Sequence, residues 1–329
     1  MGALKTKIIR LAQEGKSMRY TCHYCGNPQV SSTDRFCARC GAPQPKRAPA
    51  ARFFLSILYA LILYAVMFLV QNAVVTLYAL ILQNQLSFSA FYSSYWSVFS
   101  QYYLPVLIGA DVLLLLLYFS FYTLRGKHFG QVISLSKMPI APAAVIFAGG
   151  AAFQVIVSVT ISFLSQYLPV VEEYGVESSR AFSLFGDNFL LQLFYIAVAA
   201  PILEEVVFRG LIYTRLRRAM PVPAALILSS LLFGVAHGNL VQFVYATLSG
   251  LLLGWLFEKY HSIWASVLFH MAFNGASLLL VYFPFDALLF YALLCICAAV
   301  LLFMFYFVCK KPSSGSAREE ETQQERNPL

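Results

Sequence analysis

The strongest constraint in this sequence is a series of apolar runs too long for a soluble core. Eight can be drawn, over residues 53–82, 103–124, 140–164, 189–210, 222–237, 241–257, 263–283 and 287–309. Several reach the roughly 20 residues that a helix needs to cross a hydrocarbon layer about 30 Å thick. No water is available there, so the backbone must satisfy its own hydrogen bonds, and a helix does this within one segment. The expectation is an all-α polytopic membrane protein with about eight transmembrane helices across residues 53–309. The chain is 60% hydrophobic and 12% charged. Soluble domains sit near about half apolar and about a quarter charged, so this balance excludes an ordinary soluble fold.

The fifth and sixth runs are short, and only Gly238, Asn239 and Leu240 separate them. They read either as two spans or as a re-entrant pair, since irregular backbone at membrane depth is tolerated where it lines an enclosed cavity. Lys and Arg set the orientation. With the N-terminus inside and the spans alternating, every basic residue except Arg180 and Arg209 falls in an inside stretch. The positive-inside rule then puts both termini in the cytoplasm of a multi-pass cell-membrane protein, most simply a bacterial plasma membrane. The outside stretch Ser165–Asn188 is polar and acidic and reads as a solvated connector, with a lid as the other reading. The first apolar run begins only at Phe53, so no cleavable signal peptide is expected. The tail, residues 310–329, is rich in Ser, Glu and Gln and should be disordered.

The N-terminal 52 residues form a different unit. Residues 1–19 are a basic arm, and residues 44–52 a linker. Between them, residues 20–43 carry Cys22-x-x-Cys25 and Cys37-x-x-Cys40, each pair followed by Gly (Gly26 and Gly41). Two such knuckles can place four thiolates tetrahedrally around a structural zinc ion. The stretch resembles a zinc ribbon. Disulfides are the other chemistry open to these cysteines, but a cytoplasmic arm argues against them. The module is expected to contact a protein partner. Its few basic residues lack interleaved aromatics, which makes nucleic acid a poor candidate.

The chemistry concentrates in the stretch AVAAPILEEVVFRGLIYTRLRR, residues 197–218. A charge inside a span costs several kcal/mol, so it normally faces the bundle interior and finds a partner. Glu205 and Arg209 stand at i and i+4 on one helix face, in the favoured order. Glu204 points about 100° away from Glu205 and is left free for another partner. Candidates come from Phe233-x-x-x-His237 and from His270-x-x-x-Asn274. Gln71, Asn72 and Asp111 are further polar residues in the first two spans. A carboxylate and an imidazole can deprotonate water. An imidazole and an amide can donate to an oxyanion.

The ordered set Glu204-Glu205-x-x-x-Arg209, Phe233-x-x-x-His237 and His270-x-x-x-Asn274 resembles the three motifs of the CPBP family. These are the CAAX-protease and bacteriocin-processing proteins, related to type II CAAX prenyl endopeptidases. The resemblance spans about residues 140–285. It implies an intramembrane protease in which Glu204 and His237 activate water and face each other across it. His270 and Asn274 would stabilise the oxyanion, with Glu205 and Arg209 as a supporting pair. This reading needs no catalytic metal. Glu, His and Asn could also be read as zinc ligands, although the H-e-x-x-h geometry of zincins is absent.

The expected function is an endopeptidase acting on a membrane-associated peptide or protein within or beside the lipid bilayer. The alternative is a non-proteolytic scaffold or bacteriocin-immunity protein that recruits partners through the ribbon. A transporter ranks third, because no paired interrupted helices recur in two halves. The full-length protein is expected to copurify with about one zinc ion per chain, measured by elemental analysis. Cys22→Ser with Cys37→Ser should remove it, and metal-free wild-type protein would sink the ribbon.

Overall fold

The computed structural model describes residues 19–20, 30–31, 50–85, 88–282 and 287–310, with side chains over 53–83, 99–281 and 293–310. Cys22, Cys25, Cys37 and Cys40, and the tail beyond residue 310, lie outside them. Two short strands, β1 (Arg19–Tyr20) and β2 (Val30–Ser31), pair antiparallel. All other described elements are helices.

The helices are α1 (Ala50–Gln85), α2 (Phe88–Thr123), α3 (Phe129–Val132), α4 (Ile140–Leu164), α5 (Pro169–Ser183), α6 (Phe189–Arg217), α7 (Val222–Val235), α8 (Leu240–Tyr260), α9 (Ile263–Tyr282) and α10 (Ala287–Cys309). Among the described residues, six helical stretches are long and apolar enough to cross a membrane. They are Phe53–Gln83, Phe99–Thr123, Ile140–Leu164, Phe189–Arg217, Leu240–Tyr260 and Ile263–Val281. Val222–Val235 and Leu293–Cys309 are apolar but shorter. The eight expected runs are all helical, and α10, with 23 residues over its full length, also reaches spanning length. The sixth run is longer than its apolar core suggests. Asn239 accepts from the amides of Val241 and Gln242 and starts α8 early, and the helix continues through Glu258 and Lys259 to Tyr260. α7, with 14 residues, is about 21 Å long and falls short of the hydrocarbon core.

Burial separates inner from outer helices. Half of the most apolar window of α9 is buried, against 22% of that of α1. Phe54, Leu55, Leu69 and Leu77 of α1 and Leu302 and Phe303 of α10 point outward, as lipid-facing side chains should. α9 packs most extensively on α4, and α10 lies against α4 as well. Bilayer helices gain little from burying apolar surface against each other, so close backbone approach matters more. Glycines provide it here. A Cβ on Gly150 would collide with the backbone carbonyl of Phe269, and one on Gly149 with Met304. Across the α7–α8 hairpin, a Cβ on Gly234 would meet the carbonyl oxygen of Phe243 at 2.7 Å, and one on Gly250 would meet Ser230 Cβ at 3.1 Å.

The acidic stretch read as a connector is α5, a helix over most of its length. The signals are local: Pro169 sits in the first turn with Glu172, and Arg180 in the last. These charges complement the helix dipole.

Gly150→Ala is expected to destabilise the bundle, because the group it strikes is backbone rather than a flexible side chain. Overpacking of this kind costs about 1–3 kcal/mol. Unfolding of purified protein in mild detergent measures it, and an unchanged midpoint would refute the close α4–α9 contact.

Candidate active site

α6 is not a uniform α-helix. Its Ala200–Glu205 turn is flanked by two π-helical stretches, Tyr195–Ala199 and Val206–Tyr213. Pro201 has no N–H to return to the preceding turn, so regular hydrogen bonding fails there. π-helical turns are rare and recur at functional sites. The two glutamates occupy the last positions of the intervening α-turn, near the centre of the span.

Glu205 is fully buried, and Arg209 is 2% exposed. Arg209 Nη1 donates to Glu205 Oε1 at 2.6 Å, as the i, i+4 spacing predicted. Arg209 Nη2 donates to the carbonyl oxygen of Gly250 in α8 at 3.2 Å. Its guanidinium carbon lies 4.4 Å from the centre of the Phe233 ring, a cation–π contact to α7. The pair thus fastens α6 to two other helices.

Glu205 has a second partner that spacing along α6 could not reveal. His270 Nδ1 lies 2.8 Å from Glu205 Oε1. An ionised carboxylate can only accept, so this nitrogen carries its hydrogen. Across the ring, His270 Nε2 is 3.7 Å from Glu204 Oε2. That is too long for a direct hydrogen bond. Glu204 Oε2 is buried and has no hydrogen-bond partner among the described residues. The adjacent glutamates therefore sit at opposite ends of one imidazole.

His237 lies at the end of α7. Its Nδ1 is 2.8 Å from the Phe233 carbonyl oxygen, which can only accept, so Nδ1 donates there and Nε2 is not used in that bond. Phe233 joins the residues together. Its ring meets His237 and His270 edge-on, at centroid distances of 5.0 and 5.7 Å, while Arg209 covers its face. Asn274 donates through Nδ2 to the Ile196 carbonyl oxygen, within the first π-helical stretch, at 3.1 Å. Its second amide hydrogen remains available.

His237, His270 and Asn274 share the wall of a cavity of about 1470 Å³. Glu204 is not on this wall but stands against His270. The imidazole within ion-pairing reach of Glu204 is thus that of His270, whereas the sequence paired it with His237. α5 forms another side of the cavity. Its Glu177 accepts from Asn239 Nδ2 at 2.9 Å, and the Tyr174 and Tyr245 hydroxyls lie 3.1 Å apart. Tyr245 is near enough to Glu204 to interact electrostatically. Sequence reasoning passed over Tyr245 and Tyr174, because a tyrosine in an apolar run reads as packing. Asp111 is 3% exposed, accepts from Gln71 Nε2 at 2.8 Å and interacts electrostatically with Glu204. Asn72 stands apart, donating to Phe68 of its own helix.

Among the described residues, no group of three or more His, Cys, Asp or Glu is arranged to hold a metal ion. Glu205 is already committed to Arg209 and His270.

Glu205→Gln should cost about 3–5 kcal/mol of stability, because it leaves the Arg209 charge buried without its counter-ion. Glu205→Gln with Arg209→Met should recover much of the loss in the same unfolding measurement. Equal loss in both variants would show that the charge pair is not the cause.

Residues 186–276 match the family described as "Type II CAAX prenyl endopeptidase Rce1-like". This stretch contains Glu204, Glu205, Arg209, Phe233, His237, His270 and Asn274, and is narrower than the resemblance read from the motifs. A curated relative, the "Putative membrane peptidase YdiL" of Bacillus subtilis (strain 168), is 29% identical over 84 residues. The aligned part covers 26% of this chain and 34% of that protein, so the match spans about a third of the relative's length. No solved structure matches the chain. The chain is a multi-pass membrane protein whose residues 186–276 resemble the Rce1-like family.

Proposed function

We propose that this protein is an intramembrane endopeptidase acting on membrane-associated peptides. One observation carries the reading: His270 is held between Glu205 and Glu204 on a cavity wall that it shares with His237 and Asn274. Small-molecule pockets run to about 300–1,000 Å³. The cavity here is larger, at about 1470 Å³, and suits an extended peptide segment.

In this mechanism, a water off the line between Glu204 and His270 can reach both, since their 3.7 Å separation leaves normal hydrogen-bond distances to a third atom. Glu204, assisted by the free Nε2 of His237, takes a proton from that water. The water oxygen bonds to the scissile carbonyl carbon. The resulting oxyanion accepts from Asn274 Nδ2 and from His270 Nε2. That donation needs a hydrogen on Nε2, so in this role His270 acts as an imidazolium held through Nδ1 by Glu205. Glu204, Glu205, Arg209 and His270 then sum to zero charge, which suits a buried cluster. The C–N bond breaks, the departing amine takes the proton from Glu204, and the carboxylic acid left on the other product gives its proton to that amine, leaving a carboxylate and an ammonium.

α5 walls the cavity at the N-terminal end of α6, whereas Arg215, Arg217 and Arg218 mark its other end. The positive-inside rule puts the arginines and both termini on the cytoplasmic side. The α5 side of the cavity then faces away from the cytoplasm. The cysteine module is proposed to hold structural zinc and to contact a protein partner from the cytoplasmic side.

Glu204→Gln should lower cleavage by at least the roughly 10²–10⁴-fold assigned to general-base loss, while the protein still inserts and folds. Comparing the membrane peptidomes of cells carrying wild-type and variant protein reads this out. Undiminished cleavage by Glu204→Gln would overturn the proposal.

A further inference from the structure

We propose that the basic end of the α1–α2–α6 cluster is a binding site for a phosphate-bearing anion at the membrane surface. The relevant chemistry is a phosphodiester headgroup of an anionic lipid or a soluble phosphate. This site lies at the opposite end of α6 from α5 and is independent of the proteolytic reading.

Its floor is aromatic. The Tyr59 hydroxyl of α1 and the Tyr122 hydroxyl of α2 lie 2.7 Å apart. Cations surround this pair from two elements. The guanidinium carbon of Arg215 is 5.0 Å from the Tyr59 ring centre, and Lys127 Nζ is 5.8 Å from that of Tyr122. Arg215 and Arg218 are both close enough to act electrostatically on Tyr122. Arg125 sits 4.0 Å over the ring of Phe121, next to Tyr122.

Among the described residues, Arg217 pairs with Glu258 at 3.2 Å, but Arg125, Lys127, Arg215 and Arg218 form no ion pair. Arg215 Nε is buried and has no hydrogen-bond partner among the described residues. The α6 C-terminus offsets part of this charge through its dipole, equivalent to about half an elementary charge. That is too little for a cluster of four cations. Buried donors without partners cost free energy, and an anion would satisfy them. A phosphate fits, because a guanidinium presents paired donors to its oxygens. The surroundings favour a lipid source. Leu124, Phe54, Leu55 and Leu58 are exposed on the same helix ends and can take acyl chains.

The test titrates the full-length protein in neutral detergent with phosphatidylglycerol or phosphatidylcholine and counts bound lipid by native mass spectrometry. The expectation is saturable binding of phosphatidylglycerol with a clear preference over phosphatidylcholine. Arg215→Gln with Arg218→Gln should weaken it about thirtyfold, the effect of removing two surface cations. Arg215→Lys with Arg218→Lys should retain most of it, which checks that the fold survives. The charge-matched control is Lys137→Gln with Lys259→Gln, two exposed cations elsewhere, which should leave binding unchanged. Displacement of the lipid by inorganic phosphate, with the same dependence on Arg215 and Arg218, would assign the site to soluble phosphate. Equal weakening by the two glutamine pairs, or no preference for phosphatidylglycerol, would overturn the proposal.

Discussion

The buried contact between Glu205 and Arg209 is the interaction on which the rest of this site depends. In an apolar bundle, neither charge is tolerable alone. Once joined, they form a rigid polar node that meets three other helices. Arg209 reaches the Gly250 carbonyl of α8 and the Phe233 ring of α7, and Glu205 reaches His270 of α9. The node acts as a staple at the depth where irregular helix geometry also occurs. The π-helical stretches on either side loosen the backbone of α6, and the ion pair fixes what they loosen.

Phe233 gains a physical meaning from this arrangement. Its carbonyl takes the hydrogen of His237, and its ring separates a guanidinium from two imidazoles. The negative ring face receives the cation, while the imidazoles approach edge-on, so one aromatic side chain orders three charged or titratable groups. A leucine there could fill the space but could not provide this electrostatic sorting.

Much of this was legible in the sequence. The apolar runs announced the helices, and the i, i+4 spacing announced the Glu205–Arg209 pair. What the spacing could not carry was tertiary. Glu205 bonds His270 across 65 positions of chain, and no pattern within α6 encodes that. The division between the glutamates was read as one supporting carboxylate and one facing His237. The geometry makes them two ends of a cradle for His270. α5 was missed as a helix because it has no apolar periodicity of membrane type. Its role as a wall follows from Tyr174 and Glu177 meeting α8. An apolar run shows that a segment belongs in the bilayer, and its length decides whether it can cross.

α7 illustrates the last point and bears on chemistry that a membrane interior otherwise discourages. Hydrolysis has a co-substrate, water, which hydrocarbon excludes. A helix about 21 Å long in a layer about 30 Å thick leaves a gap of about 9 Å beyond its end. Lipid or protein must accommodate that deficit, and local thinning of the bilayer is one established response. The gap falls next to His237 and under α5, whose surface is polar and charged. For the proposed hydrolysis, this short helix would turn a mismatch with the bilayer into an inlet for water beside His237.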